Sequence, residues 1–265
     1  MKVLKAVKRI CFLAAAVAVA WTMLDGSEEL EPLHPGMLDA AIIDQAAFTT
    51  RNESFEAEAI EMLENAGYLV DYYGPGNATL DFYRDLPSYG YDLIILRTHA
   101  AVGGASPGVD SGPLDAYLFT STQATREGIK EASRMPGAWM VQYGSPGPGE
   151  QEPVYFGLSS VFVKTAMRGD FGGADVLLMG CQTMDLPMMA EAFQTRGAGA
   201  VIGWEGQVLP DRNDKALIVL LNEAHGSDSL TWETAAQRTN AAIGPDATYT
   251  SSLTIHESAI PYADG

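Results

Sequence analysis

The stretch from Asp175 to Glu205, DVLLMGCQTMDLPMMAEAFQTRGAGAVIGWE, allows few folds. Val176 to Met179 is an unbroken apolar run, short enough for a strand covered on both faces. The run stops at Gly180-Cys181. Asp185 is then expected to cap a helix that has Pro187 in its first turn, where a missing N–H costs little. Met188, Met189, Ala192 and Phe193 give that helix an apolar stripe, and Gly197 closes it. A second short apolar strand follows, Ala200 to Trp204. In open parallel sheets, active sites gather outside the carboxyl ends of strands. Cys181 stands at such an end.

The same alternation runs through the first part of the chain. Ala40 to Ile43 reads as a strand. Glu53 to Ala66 reads as a helix, with Phe55, Ala59, Met62 or Leu63, and Ala66 on one face and Gly67 as its stop. Tyr68 to Tyr73 is a second strand, broken by Gly74-Pro75-Gly76, and Leu80 to Leu86 starts a helix. Asp92 to Thr98, DLIILRT, is a third strand, and His99 follows it directly. Strands alternating with helices predict a mostly parallel, doubly wound α/β sheet.

Between about residues 100 and 170 the alternation is lost. Gly103-Gly104, Pro107-Gly108 and SPGPGEQEP at 145–153 mark a long inserted segment, the kind of loop that often carries function. Ala116 to Phe119 and Trp139 to Tyr143 read as a hairpin on it. Val161 to Met167 reads as a helix returning to the sheet. Lys215 to Ala224 and Trp232 to Ile243 are two further amphipathic helices, and Thr248 to Ile255 is an edge strand. Together these define one α/β domain over residues 38–265, with its insertion at about 100–170.

Residues 1–24 are of a different kind. Lys2, Lys5, Lys8 and Arg9 precede the apolar run Ile10 to Leu24, the pattern of an export signal. The run is short for a membrane span, although Val3, Leu4 and Val7 extend it, and Ala18-Val-Ala20 offers a cleavage site. A cleaved signal and a membrane anchor are both open, and either sends the rest of the chain out of the cytoplasm. Residues 25–37 form an acidic, proline-punctuated linker containing His34. Asn52-Glu-Ser54 and Asn77-Ala-Thr79 are glycosylation sequons that matter only after export. The formal net charge of -18, from 34 Asp plus Glu against 16 Lys plus Arg, argues against nucleic acid or an anionic membrane surface as a partner.

Several chemistries lack their motifs. There is no glycine-rich phosphate loop, no H-E-x-x-H and no G-x-S-x-G elbow. His34, His99, His225 and His256 are scattered, without ligand spacing to a cysteine or carboxylate, so neither a metal nor another cofactor is expected. His225 reads as a helix-terminus residue and His256 as an exposed tail residue. Tyr68, Tyr72 and Tyr73 read as packing. Of the two cysteines, Cys11 lies in the leader, so Cys181 is the single thiol of the domain.

What remains is DLIILRTH at 92–99 and DVLLMGC at 175–181. If the two strands are neighbours, a thiol and an imidazole emerge at one edge of the sheet. These are the parts of a nucleophile and its base. The helix after Cys181 would favour a thiolate by its N-terminus.

The strand–His and strand–Cys blocks, with the following helix and the Gly197 to Gly203 strand, resemble the caspase-like cysteine peptidases, the group of clostripain, gingipain, separase and the CHAT domains. The resemblance implies a three-layer α/β/α sandwich, a His99/Cys181 dyad acting on a peptide or protein substrate, and an oxyanion hole from the backbone N–H groups of Ala100 and Cys181. Ala100 stands where the family usually has glycine, and the His99–Cys181 gap is longer than is common there. Two other readings stay open: a non-catalytic caspase-like surface interaction domain, and a flavodoxin-like protein binding a small molecule at the sheet switch point. The sequence does not fix the oligomeric state. The export reading predicts that protease added to intact cells digests the domain. A domain protected in intact cells but digested after lysis would contradict it.

Overall fold

The computed structural model describes residues 37–103, 113–142 and 153–257. The leader, the linker and Cys11 lie outside these. Among the described residues no helix is long and apolar enough to cross a membrane.

The central sheet has six strands: β1 (Leu38–Asp44), β2 (Tyr68–Tyr73), β3 (Leu93–Arg97), β8 (Asp175–Met179), β9 (Ala200–Glu205) and β10 (Ser252–Glu257). Their order is β10-β9-β8-β3-β1-β2. Every pair is parallel except β9 with β10 at the edge. The chain runs outward from β1 in both directions, so the strand order reverses between β1 and β3, where a crevice opens outside the carboxyl ends.

Period-two alternation divides the strand residues between two cores. Ala40, Ile42, Leu93, Ile95, Leu177, Met179, Ile202 and Trp204 face one side. There they meet Phe55, Ala59 and Leu63 of α1 (Glu53–Asn65), Leu217, Leu220 and Leu221 of α6 (Pro210–His225), and Ala235 and Ala236 of α7 (Trp232–Ile243). Ala41, Ile43, Ile94, Leu96, Val176, Leu178 and Val201 face the other side. They pack on α2 (Leu80–Asp85), α4 (Ser160–Thr165) and α5 (Pro187–Thr195). The fold is therefore α/β, a mixed and mostly parallel sheet with helices on both faces, and β1, β3 and β8 are almost wholly buried.

The inserted segment differs from the expected hairpin. It forms a second, antiparallel sheet of β4 (Ala100–Val102), β5 (Ala116–Gln123), β6 (Ala138–Gln142) and β7 (Val154–Leu158), in the order β4-β5-β7-β6. The two strands read as hairpin partners do not pair. Val154 to Leu158 lies between them, and α3 (Arg126–Ala132) connects β5 to β6. The signal for β7 was its apolar VYFGL run, hidden behind the proline-rich stretch. Leu118, Phe156 and Leu158 of this sheet complete the second core.

One polar cluster crosses the carboxyl edge of the main sheet. Arg97, 1% exposed at the end of β3, pairs with Asp44 at the end of β1 (2.6 Å) and with Asp214 of α6 (2.6 Å). Its Nη2 also donates to the Thr50 carbonyl at 2.8 Å, and the guanidinium stacks over the Phe55 ring at 5.1 Å. Asn52 caps α1 and donates from its amide to Asp214 at 2.9 Å. The nitrogen a glycan would take in the first sequon is thus engaged inside the fold. Replacing Arg97 by alanine leaves two buried carboxylates facing each other. It should cost about 3–5 kcal/mol in urea unfolding. A loss below about 1 kcal/mol would mean that Asp44 and Asp214 are protonated or rehydrated at little cost, and that Arg97 does not hold this edge together.

Candidate functional site

Cys181 enters the site through a turn, not through a helix. α5 begins at Pro187, with Leu186 in the cap position, so its N-terminus starts six residues after the thiol. Asp185 is not a helix cap. Its Oδ1 accepts from Gly206 N–H (2.6 Å) and its Oδ2 from the Gln182 amide (2.9 Å). Gln182 N–H and Met184 N–H donate to the carbonyls of Gly206 (2.8 Å) and Trp204 (3.0 Å). The Thr183 hydroxyl accepts from Trp204 N–H and donates to the Leu178 carbonyl. The turn is in this way fastened to the end of β9 and to β8. Gln182 has φ 57, a left-handed conformation that costs a non-glycine residue energy. Gly180 lies so near the Thr98 carbonyl that any Cβ would collide with it. No larger residue fits between the ends of β3 and β8.

His99 is held from the other strand. Gln45, fully buried just after β1, accepts at Oε1 from His99 N–H (3.0 Å) and from the Thr98 hydroxyl (3.1 Å). Thr98 also reaches the Phe119 carbonyl on β5 at 2.9 Å. The ring Nε2 lies 2.5 Å from the Thr49 hydroxyl, which fixes the plane of the imidazole. Burial, and then the nearby Arg97 guanidinium, hold the imidazole below the ordinary histidine value of 6.5, while Asp44 opposes them. The neutral form, the one able to accept a proton, is therefore favoured near pH 7.

The register brings the two residues together. β3 and β8 are adjacent and parallel, with Arg97 opposite Met179. His99 and Cys181 each stand two residues beyond that pair, and both line one narrow cleft of about 30 Å³ with Ala46, Thr50, Val208 and Pro210. The half-buried thiol accepts from Val208 N–H at 3.5 Å and donates to the Val208 carbonyl at 3.4 Å. Phe119 N–H donates to the His99 carbonyl at 2.9 Å, so Ala100 and Leu118 form a non-hydrogen-bonded pair and Ala100 N–H points away from β5. Among the described residues Cys181 N–H has no acceptor.

The other histidines are elsewhere. His225 ends α6, as expected, but it is packed edge-on against Tyr68 and Trp232, and burial holds its imidazole below the ordinary value. His256 belongs to β10, with Nδ1 3.0 Å from the Gln194 side-chain oxygen, rather than lying in an exposed tail. Tyr72 donates to Asp44 (2.9 Å), and burial followed by that carboxylate raises its phenol. The sequence reading did not single out Gln45, Thr49, Arg97 or Val208. Arg97 and Asp44 carried a signal, each being a charge that closes an apolar strand. Thr49 and Val208 carried none. No family model matches this chain, and no characterised protein matches it in sequence.

Proposed function

We propose that this chain is an exported or membrane-anchored cysteine endopeptidase of the caspase-like superfamily, with Cys181 as nucleophile and His99 as base. The observation that supports this reading best is the shared cleft at the ends of two adjacent parallel strands, one ending in an imidazole and the other in the domain's single thiol. The sheet order, with its one antiparallel edge strand, is compatible with the caspase-like sandwich.

In this mechanism the thiol proton passes to the neutral His99 ring as Sγ attacks the carbonyl carbon of a peptide bond. The charge developing on the carbonyl oxygen is met by the N–H groups of Ala100 and Cys181. The imidazolium then gives its proton to the departing amine as the C–N bond breaks, leaving a thioester on Cys181. Water, losing a proton to His99, hydrolyses that thioester and restores the thiol. Thr49 and Gln45 keep the ring and its backbone in place throughout. The Val208 segment must yield its hold on the thiol for the attack to occur.

That hold also favours the alternative, a non-catalytic surface domain. A thiol engaged on two sides by the Val208 backbone is not free to attack a substrate. The two readings separate in one experiment on a mixed fluorogenic peptide library. The peptidase reading predicts that Cys181→Ala abolishes cleavage and that His99→Ala lowers kcat/KM by about 10²–10⁴-fold, both with unchanged circular dichroism. Residual cleavage equal to wild type in Cys181→Ala, or no cleavage by the wild-type chain, would sink it.

A further inference from the structure

The opposite, amino-terminal edge of the sheet carries a second cavity, of about 560 Å³, that the peptidase chemistry does not use. Asp175, Trp232, Gly197, Ala198, Ala200 and Glu257 line it. Asp175 opens β8 and Ala200 opens β9, so the cavity lies at the starts of the strands whose far ends lead to Cys181 and the β9 loop.

The walls are mostly apolar, and every charge on them is negative. Asp175 Oδ1 accepts from Ala200 N–H (2.8 Å) and Oδ2 from the Trp232 indole N–H (2.6 Å). Each oxygen keeps a lone pair, and the basic group that acts on the carboxylate is the His225 imidazole, through space and not by a hydrogen bond. Glu257 adds a second carboxylate. The C-terminal end of α5 reaches the same rim through Gln194 and Gly197, and a helix C-terminus carries partial negative charge. His225, beside Trp232, is only a weak counter-charge: burial holds its imidazole below the ordinary value, although Asp175 opposes this. Burial also pushes the Asp175 carboxyl up, and its two hydrogen bonds offset only part of this. A half-buried carboxylate whose neighbouring imidazole is mostly neutral is a costly arrangement that a bound cation relieves.

We infer that this cavity binds a small organic cation with an apolar body, an aralkyl amine or quaternary ammonium. The ammonium sits against Asp175, and the hydrocarbon lies between the Trp232 indole and the Ala198–Ala200 backbone. A carboxylate on the wall of a mostly apolar cavity suits such a ligand by charge pairing at one end and apolar burial at the other. The inference does not depend on any activity at Cys181.

The test uses the full chain with phenethylamine and phenylacetate, which share a ring and differ in the sign of their charge. Calorimetry should show saturable, one-to-one binding of phenethylamine at least about tenfold tighter than that of phenylacetate. Asp175→Asn should weaken amine binding by about tenfold or more, while Cys181→Ala leaves it unchanged. If Asp175→Asn does not fold, amide shifts of wild-type protein titrated with phenethylamine take its place and should cluster at Ala198, Ala200 and Trp232. Equal binding of the two probes, no saturable amine binding, amine binding that survives Asp175→Asn, or shifts clustered elsewhere would overturn the inference.

Discussion

The carboxyl edge of the sheet depends on a single buried cation. Arg97 joins β1 through Asp44, α6 through Asp214, and the loop after β1 through the Thr50 carbonyl. Taking three ions out of water costs several kcal/mol each, and the cost is recovered only when geometry is good and the remaining lone pairs are satisfied. Here they are largely satisfied: Tyr72 and Ala47 N–H complete Asp44, and Asn52 completes Asp214. Such a cluster contributes little net stability compared with a well-packed apolar core. It contributes orientation, because a guanidinium bound on several sides allows one arrangement of the elements that meet there.

The same cluster sets up the candidate site. Arg97 is two residues before His99, and Thr50 follows Thr49, whose hydroxyl meets the His99 ring. Asp214 begins the inner face of α6, just beyond Val208 and Pro210 at the cleft. The positive charge of Arg97 also helps keep the imidazole neutral. One interaction thereby fixes the strand, the loop and the helix around the cleft, and biases the protonation of one of the two residues in it. The two ends of the sheet differ in the same terms. At the carboxyl edge each carboxylate of the cluster meets a guanidinium, whereas at the amino edge Asp175 meets two neutral N–H donors and an imidazole that burial keeps mostly uncharged.

Much of the α/β frame was legible because buried parallel strands write themselves as short apolar runs. Tyr68 to Tyr73 is a strand with those same bounds, Asp92 to Thr98 loses one residue at each end, and Val176 to Met179 gains Asp175. The adjacency of β3 and β8, on which the pairing of His99 with Cys181 rests, was not legible. Strand order is a long-range property that no local pattern records. The second sheet was misread because β4 and β6 are partly exposed and glycine and proline separate its strands, so the nearest runs looked like partners. Asp185 was misread because a carboxylate before Pro187 looks like a cap, while its hydrogen bond goes across space to Gly206. Gln45 and Val208 touch the candidate site only through tertiary contacts and could not have been found from sequence.

The claim at the centre is that His99 acts on Cys181. It is tested most directly by the rate of iodoacetamide alkylation against pH, read by mass spectrometry on the peptide that carries Cys181. In the wild-type chain the profile should bend below pH 6.5, where the burial-lowered His99 imidazole takes up its proton. The bend should vanish in His99→Ala, with a slower rate at neutral pH. Superimposable profiles for the two proteins would contradict a working pair.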